Sequence, residues 1–319
     1  MILKEVLWSL HSRSIAAKKT REIATMIQKL LHRYGPKFLQ VFMQLEGFMR
    51  AAPKNCTGML LCNATALVAQ LASNMIRRTA PVLQIDHNCR QASCYFDRSL
   101  LREETASLLG ITMPVSLNSA VQKRKAEFIA GRVCAHTALA QLAADFCHPF
   151  GDATDNHRTI GIGAHRQPLW PPGFVGSITH TENYASALVA RSNEVRAIGI
   201  DSEQWISPET VEFVSQQILT NIERPADHLA KFHSPLHYLT LVFSAKESLF
   251  KCLFPLTDTY FDFQAAAITP LASETAMGGK FRFELLQDLN TEFQAGYSGF
   301  GSYSICSDRV HTAIILKAL

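Results

Sequence analysis

The pattern of apolar and polar positions predicts two long helices and several short strands. Apolar residues recur at helical spacing over Ser119–Leu142 and over Leu236–Leu253, so each segment is predicted to be a helix with a buried face. Short alternating segments predict strands at Ala185–Arg191, at Val195–Asp201 and within Tyr260–Leu319. This order of elements predicts an α+β protein made of two similar halves, although no internal sequence repeat is visible.

The N-terminal part differs from the rest of the chain, because Lys and Arg outnumber the acids there. Apolar residues at helical spacing over Ile23–Tyr34 predict a helix, which a proline then ends. We therefore divide the chain into a helical N-terminal extension (1–80), a first half (81–195) and a second half (196–319). The extension is interpreted as a helix packed on the main body, with a basic targeting segment as the alternative.

The composition of the chain excludes some classes of protein but does not indicate a particular reaction. The chain has 319 residues, of which 47% are hydrophobic, with eight cysteines and a formal net charge of +4. No two cysteines have the C-x-x-C spacing of zinc or redox sites, which predicts reduced thiols in a cytoplasmic protein. The longest apolar stretch, Met59–Ala72, is too short to span a bilayer. The sequence also lacks the concentrated stripe of basic residues that would indicate nucleic-acid binding. The mild positive charge suits acidic partners or phosphate-rich ligands.

Two carboxylates stand together at the end of a predicted strand, within Ala197–Glu203. Asp201 and Glu203 are two residues apart, so they face the same side of the strand. Neighbouring carboxylates repel each other unless a cation neutralises them, and Mg²⁺ favours such oxygen ligands beside a phosphate substrate. The D-x-E triplet is common, so a solvated strand end with two exposed acids stays open as the alternative.

An acid and a lysine lie about one turn apart on the second long helix. Glu247 and Lys251 are four residues apart and share one helix face. Their neighbours are largely apolar and buried charges need partners, which predicts a metal for Glu247 and a phosphate for Lys251. The alternatives are a surface ion pair and a capping box in which Ser244 opens a helix. The unbroken apolar phase of the helix argues against the capping box.

Two further segments carry groups that bind phosphate. Thr179 and His180 place a hydroxyl and an imidazole at the end of a predicted strand, where both can contact phosphate oxygens. A structural histidine is the alternative. Arg124 and Arg132 are eight residues apart on the first long helix, so their guanidinium groups face nearly the same way and can grip phosphate. A solvated basic face of the helix is the alternative there.

Four segments, in this order, resemble motifs of the surfactin/enterobactin-type 4′-phosphopantetheinyl transferases. The first resembles the helix of that family's N-terminal half, and the second its proline–tryptophan loop and phosphate-binding histidine. The third resembles the G-x-D-x-E metal motif and the fourth the F-S-x-K-E-S-x-x-K motif. The four segments read VQKRKAEFIAGRVCAHTAL, GIGAHRQPLWPPGFVGSITH, AIGIDSE and LVFSAKESLFK. The resemblance covers residues 85–319, whereas the N-terminal extension matches nothing typical of the family.

This resemblance implies a pseudo-twofold α+β fold with the active site in the cleft between the two halves. Asp201, Glu203 and Glu247 would hold Mg²⁺. Glu247 would also be the general base, and Lys251 would bind a phosphate and assist the leaving group. Ser202 departs from the family's pattern, in which an aliphatic residue is expected, and its side chain is expected to point away from the metal.

The same resemblance implies a binding site for coenzyme A, the cosubstrate, on the first half. His180, with Thr179 beside it, would contact a phosphate. Arg124 and Arg132 match arginines that bind coenzyme A phosphates. Arg166 would be a further phosphate contact. The implied reaction is the transfer of 4′-phosphopantetheine from coenzyme A to a serine of an acidic apo carrier protein, with release of 3′,5′-ADP, by a monomer. A non-catalytic coenzyme A-binding module and a Mg²⁺-dependent nucleotide hydrolase are the alternatives.

Overall fold

The computed structural model describes residues 76–80, 82–83, 87–144, 159–224, 234–271 and 277–318, which belong to one compact unit. The predicted helix over Ile23–Tyr34 lies outside this described part, as does the rest of the N-terminal extension up to residue 75. The end of the predicted extension, Ile76–Thr79, is not helical, because these residues form a strand at the edge of the first sheet.

The first half is a four-stranded antiparallel sheet packed against one long helix. Its elements are β1 (Ile76–Thr79), β2 (Cys89–Phe96), α1 (Glu103–Leu108), α2 (Gln122–Ala144), β3 (Gly161–Ile162), β4 (Pro168–Leu169), β5 (Phe174–His180) and β6 (Tyr184–Arg191). The strands of the sheet lie in the order β1-β2-β6-β5, and α2 packs on β2, β5 and β6. A small separate hairpin, β3–β4, forms part of the segment that resembles the family's proline–tryptophan loop.

The second half repeats this combination of a long helix and an antiparallel sheet. Its elements are β7 (Val195–Gln204), α3 (Val211–Ile218), α4 (Pro235–Thr257), β8 (Ala266–Pro270), β9 (Gly278–Leu285), β10 (Ser298–Ile305) and β11 (Arg309–Lys317). The strands lie in the order β7-β11-β10-β9-β8, and α4 packs chiefly on β7 and β11. The described part of the chain is therefore an α+β structure, as the sequence predicts.

The helix α2 follows its prediction except at its N-terminal end. The sequence predicts a helix over Ser119–Leu142, and the observed helix spans Gln122–Ala144. Val121 falls within the predicted helix, but in the structure it precedes the helix and is 70% exposed. Ala126 and Ile129 are fully buried on the face that packs on the sheet. Burial of this face fixes the direction in which the polar residues of α2 point.

The helix α4 begins and ends at residues that stop a helix for clear physical reasons. Ser234 is the N-cap, and its Oγ accepts a hydrogen bond of 3.2 Å from the backbone N–H of Leu236, with Pro235 in the first turn. The helix ends at Asp258, which has a left-handed φ of 48°. Ser244 therefore lies in the helix interior, so the capping-box alternative is wrong. No helix in the described part of the chain is both long and apolar enough to cross a membrane.

The two halves meet where β5 runs beside β7. The hydroxyl of Ser177 accepts a hydrogen bond of 3.1 Å from the backbone N–H of Ile200. Arg309, which is fully buried at the start of β11, donates hydrogen bonds to the side-chain oxygens of Thr181 and Asn183 in the first half. These contacts fix the end of β5 next to the carboxylate-bearing part of β7.

A buried histidine near this junction should make the fold less stable in acid. His311 is 1% exposed, and its Nδ1 lies 2.8 Å from Oγ of Ser202. Burial, followed by the positive charge of Arg309, lowers the pKa of His311 from 6.5 to about 4. Between these two pH values the unfolded chain binds a proton that the folded chain does not.

We therefore expect the free energy of unfolding to fall as the pH drops from about 6.5 to about 4, with His311 contributing about 3 kcal/mol of the loss. Urea denaturation at a series of pH values measures this dependence. His311→Gln removes the titrating group and should flatten this part of the profile relative to the wild-type chain. An equally steep profile for the variant would show that His311 does not cause the loss.

Candidate active site

Asp201 is the centre of a buried hydrogen-bond network at the end of β7. It is 3% exposed and is reached from the neighbouring strand and from the helix. Its Oδ1 accepts hydrogen bonds from Thr179 Oγ1 at 3.2 Å and from Lys251 Nζ at 2.6 Å, and its Oδ2 accepts one from Ser244 Oγ at 2.9 Å. A solvated strand end is therefore excluded for Asp201, because its carboxylate is enclosed and both of its oxygens accept hydrogen bonds.

The other two predicted metal ligands, Glu203 and Glu247, are close enough to Asp201 for its charge to affect their pKa values. Burial, together with the charges of Asp201 and Glu247 and against the opposing effect of Lys251, raises the pKa of Glu203 to about 8. Burial also raises the pKa of Glu247, with Asp201 contributing and Lys251 opposing. The three acids are thus electrostatic neighbours whose negative charges are incompletely compensated.

These acids do not form a closed metal cage in the part of the chain that the structure describes. No group of three or more His, Cys, Asp or Glu side chains there is arranged to hold a metal ion. Instead, the Lys251 ammonium lies on the Asp201 carboxylate. The oxygen donors suit a hard divalent cation, and Mg²⁺ commonly takes only one or two protein carboxylates, with water and substrate phosphate completing its shell.

Lys251 does not form the surface ion pair with Glu247 that the sequence leaves open as an alternative. The sequence places it one turn after Glu247, but its hydrogen bonds go to Asp201 and, at 3.2 Å, to the backbone oxygen of Ile200. Burial alone would lower the pKa of Lys251, but the hydrogen bond and charge of Asp201, with the charges of Glu247 and Glu203, together outweigh burial and raise the pKa. The lysine therefore stays charged, and its side chain keeps 28% exposure.

Ser202 and Thr179 show how strand alternation distributes side chains around this network. Ser202 lies between the two acids of β7 and points to the opposite face, where it contacts His311. This is the direction expected for the residue that departs from the family's pattern. Thr179 points to Asp201, whereas His180, the next residue of β5, points to the opposite face. The predicted hydroxyl–imidazole pair is therefore split between two environments.

Four of the five residues predicted to bind coenzyme A line one pocket of about 490 Å³ between α2, β5 and the β3–β4 hairpin. They are Arg124, Arg132, Arg166 and His180. Arg166 is exposed on the turn of the hairpin, where it has a left-handed φ of 66°. The two arginines of α2 share the pocket, as the spacing predicts, but they differ in burial and in partners. A wholly solvated basic face is therefore wrong for α2.

Arg132 is a buried cation that is only partly satisfied. It is 6% exposed, and its Nη2 donates a hydrogen bond of 2.9 Å to the backbone oxygen of Gly161. Its Nη1 has no hydrogen-bond partner among the residues that the structure describes. Burial lowers the pKa of Arg132 to about 10, so the side chain remains charged at neutral pH. A buried guanidinium with a free donor facing a pocket is suited to an anionic ligand.

His180 and Arg124 form a second basic group in the same pocket. Nε2 of His180 lies 2.8 Å from Nη1 of Arg124. Burial, followed by the charges of Arg124 and Lys251, lowers the pKa of His180 to about 4. The imidazole is therefore neutral at physiological pH. His180 lines the pocket, and the charges of Lys251 and Asp201 also affect its pKa. The pocket and the acidic network are therefore adjacent.

Comparison with known proteins finds one family in both halves. A family model described as the 4′-phosphopantetheinyl transferase N-terminal domain matches residues 114–190, and one described as the 4′-phosphopantetheinyl transferase superfamily matches residues 197–306. The 4′-phosphopantetheinyl transferase PptT of Mycobacterium tuberculosis is 34% identical over 200 residues, which cover 61% of this chain and 81% of that protein. The chain belongs to the 4′-phosphopantetheinyl transferase superfamily.

Two further relatives support the same family. The enterobactin synthase component D of Salmonella typhimurium is 37% identical over 179 residues, covering 56% of this chain and 68% of that protein. The 4′-phosphopantetheinyl transferase Npt of Nocardia iowensis is 34% identical over 171 residues, covering 52% of this chain and 69% of that protein. The family that the four sequence motifs predict is thus confirmed.

Two polar clusters of this phosphopantetheinyl transferase were missed by sequence reasoning. The first extends the Asp201 network, because the hydroxyl of Thr312 on β11 lies 2.9 Å from Ser244 Oγ and 2.7 Å from Ser248 Oγ. The serines stand in the FSAKES motif, but nothing in the sequence connects that motif to Thr312. The second cluster is Glu127 with its basic neighbours, for which the position three residues after Arg124 was the available signal.

Lys246, in the same motif, is part of a buried structural ion pair. Its side chain is 3% exposed and that of its partner, Glu223, is 1% exposed; Lys246 Nζ lies 2.7 Å from Glu223 Oε2. Glu223 also accepts hydrogen bonds from the backbone N–H groups of Thr220 and Ile268, each at 2.7 Å. The pair therefore fastens α4 to the segment after α3 and to β8.

We expect Glu223→Gln to destabilise the fold by about 3 kcal/mol or more, because the buried Lys246 charge then loses its compensating carboxylate. Chemical denaturation in urea measures the change in the free energy of unfolding. Glu284→Gln, which breaks the more exposed Arg282–Glu284 pair, is the matched control and should have a much smaller effect. Equal losses in the two variants would show that the burial of the Lys246–Glu223 pair has no special weight.

Proposed function

We propose that this protein transfers the 4′-phosphopantetheine group of coenzyme A to a serine of an apo carrier protein and releases 3′,5′-ADP. One observation carries the proposal: two consecutive residues of β5 connect a basic pocket to an acidic network. His180 lines the pocket with Arg124, and Thr179 donates to Asp201 in the network. A ligand with several phosphates can thus lie with one end among cations and its pyrophosphate beside carboxylates and Lys251.

In this proposal the basic pocket binds the nucleotide phosphates of coenzyme A. Arg132 has a free Nη1 donor, and Arg124 and Arg166 are more exposed and can move toward a ligand. Arginine presents a planar set of donors that pairs with two phosphate oxygens at once. We assign His180 to the same phosphates, and Thr179 to positioning Asp201 because its hydroxyl is engaged there.

We assign Asp201, Glu203 and Glu247 as the residues that would hold Mg²⁺. Their fit to a hard cation rests on their oxygen donors and on their crowding, since burial and, to a smaller extent, the neighbouring carboxylates raise the pKa values of Glu203 and Glu247. A bound Mg²⁺ would supply charge neutralisation at the pyrophosphate during phosphoryl transfer.

The remaining steps belong to side chains of the chain itself. Glu247, whose pKa is raised by burial, is the assigned acceptor of the proton of the carrier's serine hydroxyl. The serine oxygen attacks the phosphorus atom that carries pantetheine, and the bond from that phosphorus to the oxygen of 3′,5′-ADP breaks. Lys251 stays charged and is assigned to offset the negative charge on the departing 3′,5′-ADP.

We propose that the two halves are related by a pseudo-twofold axis, with the site in the cleft between them. In each half an early strand is followed by a helix of 23 residues, and the last strand of the half returns to pair with that early strand. These early strands are β2 and β7, and the returning strands are β6 and β11. Because one chain then supplies both sides of the cleft, the proposed enzyme is a monomer.

The proposed partner is an acidic apo carrier protein, which the net charge of +4 favours. The proposed location is the cytoplasm, because the described cysteines 89, 94, 134, 252 and 306 are free thiols, as in a reducing compartment. Neither nucleic acid nor a membrane takes part in the proposed reaction.

Incubation with coenzyme A, Mg²⁺ and a panel of apo carrier proteins, followed by intact-mass measurement, tests the proposed function. A mass gain of one phosphopantetheine on a carrier, located on its serine, supports it. Cleavage of coenzyme A without a carrier adduct would support a hydrolase, and binding without turnover would support a non-catalytic module. Parallel reactions with a chelator, and with Mg²⁺ restored afterwards, test the metal assignment separately.

A further inference from the structure

Glu127 is a buried carboxylate in a pocket whose other charged lining residues are arginines. It lies on α2 and is 6% exposed. Its Oε2 is 3.7 Å from Arg124 Nη1 and 3.7 Å from His180 Nδ1, and its Oε1 is 4.0 Å from Lys123 Nζ. Because a buried charge is costly unless it is paired, the cations Lys123 and Arg124 among these three neighbours account for its presence. Arg124 and His180 are the two neighbours assigned above to a phosphate of coenzyme A.

The surroundings of His180 define which ring nitrogen carries the proton. Nε2 lies 2.8 Å from the guanidinium of Arg124, which can only donate, so Nε2 accepts that hydrogen bond. In the neutral imidazole the proton is then on Nδ1, the nitrogen that faces Glu127. The carboxylate thus favours one tautomer and one ring orientation while it also attracts the Arg124 side chain.

We infer that Glu127 is a positioning residue that holds Arg124 and His180 together in the orientation that receives a phosphate of coenzyme A. This inference rests on the proposed function. Glu127 also brings a negative charge near an anionic ligand, which opposes binding. Lys123 and Arg124 compensate for that charge from within 4.0 Å, so the orienting effect outweighs the repulsion.

Glu127→Gln tests the inference, because it keeps the shape of the side chain and removes its charge. The Kd of coenzyme A, measured by calorimetry without carrier protein, should rise about tenfold, since charge-assisted contacts that orient the site are lost. The KM for coenzyme A should rise in parallel, while kcat changes less than about twofold because Glu127 contacts Lys123, Arg124 and His180 and not the acids assigned to the reaction. Glu127→Asp, which keeps the charge, should recover part of the affinity.

Glu103→Gln is the matched control for this experiment. Glu103 forms an ion pair of 3.6 Å with Lys125, its side chain is 58% exposed, and it does not line the pocket. Its replacement should change neither the Kd nor the KM for coenzyme A. A rise equal to that of Glu127→Gln would show that the loss reflects overall charge, and the inference would be overturned.

A double-mutant comparison separates positioning from a merely structural role. In a chain that already carries Arg124→Ala and His180→Ala, Glu127→Gln should add less than about a twofold further loss, because the groups it orients are absent. A full tenfold loss in that background would overturn the inference. If Glu127→Gln binds coenzyme A normally while Arg124→Ala binds weakly, positioning is wrong and the proposed pocket stands. If neither Arg124→Ala nor Arg132→Ala weakens binding, the proposed pocket is itself wrong.

Discussion

Replacing Asp201 by asparagine should lower the rate of phosphopantetheine transfer by at least about a thousandfold. Asp201 is the most enclosed of the three acids, and in the proposal its carboxylate holds the cation and orients Lys251. Asparagine keeps the shape of the side chain but loses the negative charge that both functions need. The rate of carrier modification, followed by intact mass at saturating coenzyme A and Mg²⁺, measures the effect.

Asparagine is a better choice than alanine at this position, because Asp201 also has a structural role. Alanine would leave the hydroxyls of Thr179 and Ser244 and the ammonium of Lys251 without their shared acceptor. Asparagine retains one side-chain oxygen that can accept hydrogen bonds from β5 and from α4. Thermal unfolding should therefore show a folded protein.

Glu292→Gln provides the control for Asp201→Asn. It removes an acid from an exposed ion pair with Arg196 and should leave transfer unchanged. Near-normal transfer by a folded Asp201→Asn variant would refute the assignment of the acidic network as the catalytic centre.

The sequence predicts the elements that carry this network well, because hydrophobic periodicity reports burial directly. The apolar phase that runs through Ser244 predicts one continuous helix, and α4 is continuous. Strand alternation correctly predicts that Asp201 and Ser202 face opposite sides of β7. These properties depend on residues close together in the chain, so local pattern is sufficient to establish them.

The partners of the charged residues could not be predicted in the same way. Helical spacing suggests Glu247 as the neighbour of Lys251, yet the ammonium lies on Asp201, about 50 residues away in sequence. The partner of Lys246 is Glu223, on a segment that shows no charge pattern linking the two residues. Such pairs depend on how α4 packs across strands and turns, which no local period encodes.

The distribution of Thr179 and His180 shows a different limit. Both residues were assigned to phosphate because they are adjacent at a strand end, but adjacency on a strand places side chains on opposite faces. The alternation rule could have separated them in advance; which face contains the pocket could not be known without α2. The role of Glu127 could not be predicted for a related reason. An acid among basic residues resembles one member of an ordinary surface ion pair until its burial is known.

Gly199→Ala should disrupt both the fold and the site, because α4 packs directly on this glycine. Gly199 is on the same face of β7 as Asp201. A Cβ atom added there would lie 1.8 Å from the backbone oxygen of Ser248 and 2.7 Å from the backbone nitrogen of Cys252. These two atoms belong to the backbone of α4, so no side-chain rotation can relieve the clash.

The helix would have to move away from β7, which would carry Lys251 and Glu247 away from Asp201. We expect a loss of at least about 3 kcal/mol in the free energy of unfolding, or failure to accumulate folded protein. Any folded fraction should transfer phosphopantetheine far more slowly than the wild-type chain, since the distances within the acidic network depend on this close approach. Urea denaturation and the intact-mass assay measure the two effects.

Gly131→Ala is the informative comparison, because it makes the same substitution against a side chain. The Cβ atom added at Gly131 would lie 2.9 Å from Cγ2 of Ile178, a methyl group that can shift, and alanine favours the helix α2 by about 1 kcal/mol. This variant should therefore change stability by no more than about 1 kcal/mol. If Gly199→Ala proves equally mild, α4 can be displaced from β7 at little cost. The proposed geometry of the acids would then not depend on the contact between α4 and β7. If only Gly199→Ala unfolds or inactivates the chain, the close packing of α4 on β7 is what holds Lys251 beside Asp201.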